Sequence, residues 1–323
     1  MTTVEPKPEF RHFSEEALLA APCQVAPNKS CWLGSDFPWE WSVLVCLAAV
    51  EVPLAAHWGL SISLLRLGLY VYLLVFLAAA AIFRTIIPIR PVSLAADYLA
   101  LIFFARAVSV VMTYIAAAPS HPLVDSKLMQ ADRWLGFDWQ FWFQMMVAHP
   151  LARSVLIFLY NSVFIQSLLF AVLFSFLGRR DRLREIFWSI QIGFYITTAI
   201  FLIVPTLGPL STFAFAHRPD INLYGADVYL KPLEEIRSRT NLHFSIEKMY
   251  GIIQFPSFHT TLAIIYSYCF RGTGEIGRSI CLLNLGMLFA IPVCGGHYLV
   301  DMIAGAIIAP LSIGMARMAL RSI

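Results

Sequence analysis

Two short stretches of this chain carry residues that could do chemistry together. Phe255-Pro256-Ser257-Phe258-His259-Thr260 sets a histidine at the start of an apolar run, and Gly295-Gly296-His297-Tyr298-Leu299-Val300-Asp301 sets a second histidine and an aspartate at the start of another. Four residues is roughly one helical turn, so Asp301 can share a face with His297, accept a hydrogen bond from one ring nitrogen and leave the other free to attack or to ligate. Ser257 has the chemistry of an N-cap and Pro256 that of a helix opener, which places His259 in the first turn. There the backbone N–H groups and the positive helix end form an anion site, with Ser257 beside it. Gly295 and Gly296 offer a second set of amides that an anion can approach closely.

For either histidine alone, a capped helix start with a hydrogen-bonded ring is the ordinary reading. Two histidines, two amide-rich turns and one carboxylate together ask for a reaction. Phosphoryl transfer needs a nucleophile, a proton donor for the leaving oxygen, and N–H or cationic donors around the equatorial oxygens. The chemical rival is a His/His/Asp site for zinc or iron. Against it, the sequence shows no fourth ligand nearby, and glycine and serine surroundings suit an oxyanion better.

The elements that must position these residues are membrane helices. Of 323 residues 59% are hydrophobic and only 13% charged, and the mean hydropathy is +0.71; soluble domains carry about 25% charged residues. The composition predicts an all-α, polytopic membrane bundle of eight spans, placed at 41–58, 63–83, 92–117, 153–177, 185–205, 256–271, 278–294 and 298–320. A net charge of +3 is too small to argue for a nucleic-acid partner. Residues 1–40 are polar and proline-bearing, without the basic start, apolar core and cleavage site of a signal peptide. They read as a cytoplasmic segment ahead of a transmembrane catalytic domain at 41–323. The six cysteines show neither a disulfide framework nor zinc spacing; Cys23 and Cys31 fall on the cytosolic side.

Arginines set the orientation. Arg179, Arg180, Arg182 and Arg184, then Arg271 and Arg278, Arg84 and Arg90, and Arg317 and Arg321 all fall on the side of the N-terminus. That side is expected to be cytoplasmic, with both termini on it, in a multi-pass cell membrane for which a bacterial inner membrane is the expected setting. Residues 118–152, residues 206–255 and the Gly295-Gly296 turn then share the opposite face with both histidines. The 118–152 segment, with Trp134, Trp139, Phe141 and Trp142, reads as an interfacial helix. The 206–255 segment carries Arg218, Lys231, Arg237, Arg239, His243 and Lys248 toward His259, and a connection of that length points to function. Glu51, Asp97 and Arg106 lie within spans, where Arg106 is expected to meet a carboxylate or an anionic ligand.

These motifs resemble the type-2 phosphatidic acid phosphatase superfamily of membrane lipid phosphatases and phosphotransferases, on Pro256-Ser257-Phe258-His259 and His297-x-x-x-Asp301. The likeness covers the last four spans closely and the rest loosely. It implies that His297 is the nucleophile and forms a phosphohistidine, that Asp301 orients it, and that His259 protonates the leaving group and then activates the acceptor. It implies no metal or cofactor, a membrane lipid as substrate, and a hydroxyl acceptor or water as partner. Phe258 stands where the family has glycine, Ile291 where it has an arginine, and Ser211 where the Arg218-Pro219 motif would have its lysine. Phosphate-binding charge is therefore expected from Arg218, Lys248 or Arg106. The bulky Phe258 and the Asp132–Trp139 segment look most like the inositol phosphorylceramide synthase branch, which transfers a headgroup. A plain lipid or polyprenyl phosphate phosphatase is the alternative within the family, and a non-catalytic transporter or scaffold the alternative outside it. The vanadium-dependent haloperoxidases share the two-histidine logic but are soluble.

Overall fold

A computed structural model describes residues 39–63, 67–213 and 228–321. Most of the polar N-terminal segment, with Cys23 and Cys31, and the whole Arg218-Pro219 motif lie outside the described residues. Among the described residues the chain is helical almost throughout: α1 (Glu40–His57), α2 (Leu67–Thr85), α3 (Arg90–Ala117), α4 (Asp125–Trp134), α5 (Trp139–Ala148), α6 (Pro150–Phe176), α7 (Arg180–Ile203), α8 (Pro209–Thr212), α9 (Leu230–Ser238), α10 (Phe258–Cys269), α11 (Glu275–Cys294) and α12 (Leu299–Arg321). A short parallel pairing of β1 (Ser61–Ser63) with β2 (His243–Ser245) ties the end of α1 to the segment before α10.

All eight apolar stretches form helices. Six of them (α1, α3, α6, α7, α11 and α12) are long and apolar enough to cross a membrane. The expected sixth crossing is α10, whose 12 residues span only about 18 Å against a hydrocarbon core of about 30 Å. Its start lies at the histidine end and its last turn at the arginine-rich end, where Tyr268 accepts from Arg317. The chain thus still passes from one end to the other along α10, which packs on α7, α11 and α12. The 118–152 segment is two helices, α4 and α5, because Gly136 (φ +74°) turns the chain between them and Asp138 caps the second by accepting from the Phe141 N–H at 3.1 Å.

Lipid gives helices little hydrophobic reason to associate, so close contact falls to small residues and hydrogen bonds. Gly305 of α12 lies so near the start of α10 that an added Cβ would come within 2.3 Å of the Ser257 carbonyl oxygen. The Thr261 hydroxyl fixes the same crossing by donating to the Gly305 carbonyl at 2.9 Å. Between α6, α10 and α11, Gln166 donates to Asn284 at 3.0 Å and Asn284 to Ser267 at 3.2 Å. Large apolar side chains such as Leu282, Ile203 and Phe289 face outward, as a lipid-facing surface requires.

The arginine-rich links gather at one end of this bundle. Arg184 pairs with buried Glu40 at 3.1 Å and Arg317 with Glu185 at 3.7 Å, while Arg317 also donates to the Tyr268 hydroxyl at 3.0 Å. The other end holds α4, α5, α8, α9, the start of α10 and the turn between α11 and α12. Its own apolar cluster includes Tyr114, Trp139, Phe143, Phe201, Leu210, Leu233, Ile252 and Val293. Both histidine motifs sit on that end.

Candidate active site

A main-chain hydrogen bond joins the two motifs: Ser257 N–H donates to the Asp301 carbonyl oxygen at 2.9 Å. Ser257 is fully buried and caps α10, its hydroxyl accepting from the Thr260 N–H and from the Thr260 hydroxyl at 3.2 Å. Both its N–H and its hydroxyl are thus engaged in setting where α10 begins. His259 follows in the first turn, its ring stacked on Tyr160 of α6 with centroids 4.3 Å apart. Its Nδ1 lies 3.2 Å from the Tyr160 hydroxyl, and it is close enough to His297 for the two rings to interact electrostatically.

His297 is buried in the turn between α11 and α12. Its Nδ1 lies 2.8 Å from the Gln254 carbonyl oxygen and 3.4 Å from Asp301 Oδ2. A carbonyl can only accept, so the neutral ring carries its proton on Nδ1 and keeps the Nε2 lone pair. Burial pushes this imidazole down to about 4, against the opposing pull of the Gln254 hydrogen bond, so the ring is neutral at pH 7. Asp301 accepts more closely from the Tyr298 N–H, at 2.8 Å. Its carboxylate therefore holds the first turn of α12 and touches the imidazole from the same place.

The glycine turn is fixed from several sides. Gly296 has φ +64°, a conformation that side-chain-bearing residues seldom adopt. The Gly295 N–H donates to the Ile291 carbonyl at 3.0 Å and the His297 N–H to that of Pro292 at 3.1 Å. That leaves the Gly296 N–H as the turn's donor without an acceptor among the described residues. The Gln254 side-chain amide donates to the Gly296 and Gly295 carbonyls at 2.9 and 3.2 Å. Gln254 thus holds the His297 ring with its main chain and the turn with its side chain.

Two aspartates from α4 secure the surroundings. Asp132 accepts from the Leu299 N–H at 2.9 Å and the Val300 N–H at 3.0 Å, capping α12 from another helix and placing negative charge at its positive end. Asp125 accepts from the Gly208 and Leu207 N–H groups at 2.8 and 3.1 Å. Burial raises both carboxyls above the usual range, opposed by these backbone hydrogen bonds. Trp139 of α5 donates to the Pro292 carbonyl at 2.7 Å, the same oxygen that accepts from the His297 N–H. Gln254, Tyr160, Asp132 and Asp125 were not among the residues the sequence singled out for the site.

The expected cations are scattered. Arg106 is exposed on α3, its guanidinium 5.4 Å above the Phe164 ring; the helix turns it outward, so it meets an aromatic face in place of the carboxylate or anion expected for it. Arg237 donates to the His121 carbonyl at 2.7 Å and Arg239 to that of Trp58 at 3.1 Å. Lys231 and Lys248 are exposed, and Lys231 is 3.9 Å from Glu235. Inside the bundle, Asp97 pairs with Arg84 from the end of α2.

Fold and site define a multi-pass helical membrane protein of the phosphatase type. A family model described as the PAP2 superfamily matches residues 126–315. That is more than half of the chain and contains both motifs, so the protein belongs to the PAP2 superfamily, which comprises phosphatases and phosphotransferases. No curated protein and no solved structure showed significant similarity to the chain.

Proposed function

We propose that the protein is a metal-independent lipid phosphotransferase that works at the extracytoplasmic face through a phosphohistidine on His297. The observation that carries this reading is the Nδ1–H of His297 held by the Gln254 carbonyl, which leaves Nε2 as a neutral nucleophile beside His259. In the proposed reaction His259, neutral in the buried substrate-free site, takes up a proton together with the anionic lipid phosphate; Nε2 attacks the phosphorus, and the bond to the leaving oxygen breaks as that oxygen takes this proton. His259, now neutral, removes the proton from the acceptor, and the acceptor oxygen displaces His297. The Gly296 N–H is a donor for the charge that builds on the equatorial oxygens. A membrane lipid is the donor and a hydroxyl the acceptor; water in that place would make the protein a lipid phosphate phosphatase.

Purified protein given a short-chain phospholipid and a range of alcohols decides between these outcomes. Transfer is supported when the product is the phosphorylated or phosphodiester-linked alcohol, and overturned when only the hydrolysed lipid forms at every alcohol concentration. Sidedness rests on the arginine-rich end being cytoplasmic. In a cysteine-free background, an impermeant thiol reagent added outside should label Lys231→Cys and spare Asp181→Cys.

A further inference from the structure

A cavity of about 240 Å³ lies beside the turn that carries His297, where the end of α4 meets the start of α5. Phe137, Trp139 and Phe213 wall it, and Asp132, Arg133, Asp138, Gln140 and Tyr298 give it a polar lining. Trp139 and Phe213 are stacked with centroids 5.6 Å apart and planes 4° from parallel, and Tyr298 is the residue that follows the nucleophile. Most of the polar lining is already occupied. Asp132 is taken by the Leu299 and Val300 amides, Trp139 by the Pro292 carbonyl, and the Tyr298 hydroxyl by Thr212 at 2.7 Å. Arg133 differs: its one hydrogen-bond partner among the described residues is the Met129 thioether, 3.8 Å away, which is a weak acceptor.

We propose that this cavity takes the phosphate-bearing headgroup of the lipid substrate, with the Arg133 guanidinium as its charge partner. The proposal rests on the phosphotransfer reading above and names the cation which that reading lacks. Arg133, itself exposed, is the one lysine or arginine that lines the cavity, whereas none of the described cations expected from the 206–255 segment does. A guanidinium fork matches two phosphate oxygens at once. The Asp132 charge is met by two amides at the start of α12 and that of Asp138 by the Phe141 N–H at the start of α5, which leaves Arg133 as the lining group to pair with an anion. A cavity of this size suits a phosphoester and a hydroxylated group and is too small for two acyl chains. Those chains have a surface next to the opening, where Trp134, Leu135 and Phe141 are exposed.

Binding of dihexanoyl phosphatidic acid to His297→Ala protein in detergent, measured by calorimetry, tests this without turnover. Adding Arg133→Gln should weaken binding by about 10-fold or more, the loss of one charge-assisted pair, and Arg133→Lys should fall between. Met129→Trp, which fills the cavity, should weaken binding as well, while Arg278→Gln at the opposite end should change nothing. Unchanged affinity in Arg133→Gln protein with an intact melting transition overturns the proposal, as does an absence of binding when Arg133 is present. Failure of the wild-type protein to transfer phosphate from the same lipid would instead overturn the phosphotransfer reading.

Discussion

The Nδ1 of His297 sits 2.8 Å from the main-chain carbonyl oxygen of Gln254. That contact sets the tautomer of the ring, and so decides which nitrogen can attack. The same residue's side chain spans the Gly295 and Gly296 carbonyls, so the His297 ring and the turn are positioned from one point on the segment before α10.

Substitutions at Gln254 should separate these two duties. Gln254→Ala keeps the main-chain carbonyl and removes the amide, and is expected to lower turnover by about 10-fold, in line with one or two lost hydrogen bonds. Gln254→Glu sets an acceptor against two carbonyls, and is expected to lose more activity and more thermal stability than alanine. Steady-state kinetics and melting curves on the two variants check the order; a glutamate variant as active as wild type would contradict it.

The pairing of His259 with Tyr160 yields a leaving-group prediction. His259→Ala should lower turnover by about 10²-fold or more on lipid alkyl esters, whose alkoxide needs a proton, and far less on an aryl phosphate. Tyr160→Phe keeps the stacked ring while removing a hydroxyl 3.2 Å from Nδ1, and should cost under about 10-fold on either substrate. Equal losses on the two substrates for His259→Ala would argue against its acid role.

Much of this arrangement was legible in the sequence, because its signals are local. Ser257 reads as a cap and is one; His259 reads as a first-turn residue and is one; His297 and Asp301 share a face because four residues make a turn. The arginine-bearing links were grouped on one side by parity alone, and Arg184–Glu40 and Arg317–Glu185 bring several of them together. What could not be read is tertiary. A main-chain carbonyl such as that of Gln254 leaves no mark in a sequence. Tyr160 lies in an unbroken apolar run, and Asp132 looks like an ordinary charge in a polar segment until the fold carries it to the start of α12. The cations were sought near His259 in sequence, yet Arg133 lines a cavity beside His297 from 164 positions upstream. The sixth expected crossing, 256–271, is the shortest of the eight in the sequence, and α10 is shorter still at 12 residues.

The buried state of His297 fixes a pH dependence. Its value falls from 6.5 to about 4, so in the substrate-free protein the nucleophile stays neutral across that interval and is lost only as pH falls through the lower value. The same sign applies to stability: the contribution of the neutral ring is full above 6.5 and is lost as pH falls toward 4. The acid limb of kcat/KM for an aryl phosphodiester, which does not itself titrate in this range, should therefore lie well below 6.5. A limb at 6.5, present in wild type and in His259→Ala protein alike, would contradict the assignment.

The most direct test of the central claim is isolation of the covalent intermediate. Wild-type protein quenched in alkali during turnover of a radiolabelled short-chain phospholipid should retain label as an acid-labile, alkali-stable phosphoramidate, and peptide mass spectrometry should place it on His297. His297→Ala should carry none, and Asp301→Asn should form it more slowly because the ring is less firmly held. Label on His259, or turnover by His297→Ala protein at the wild-type rate, would contradict the account.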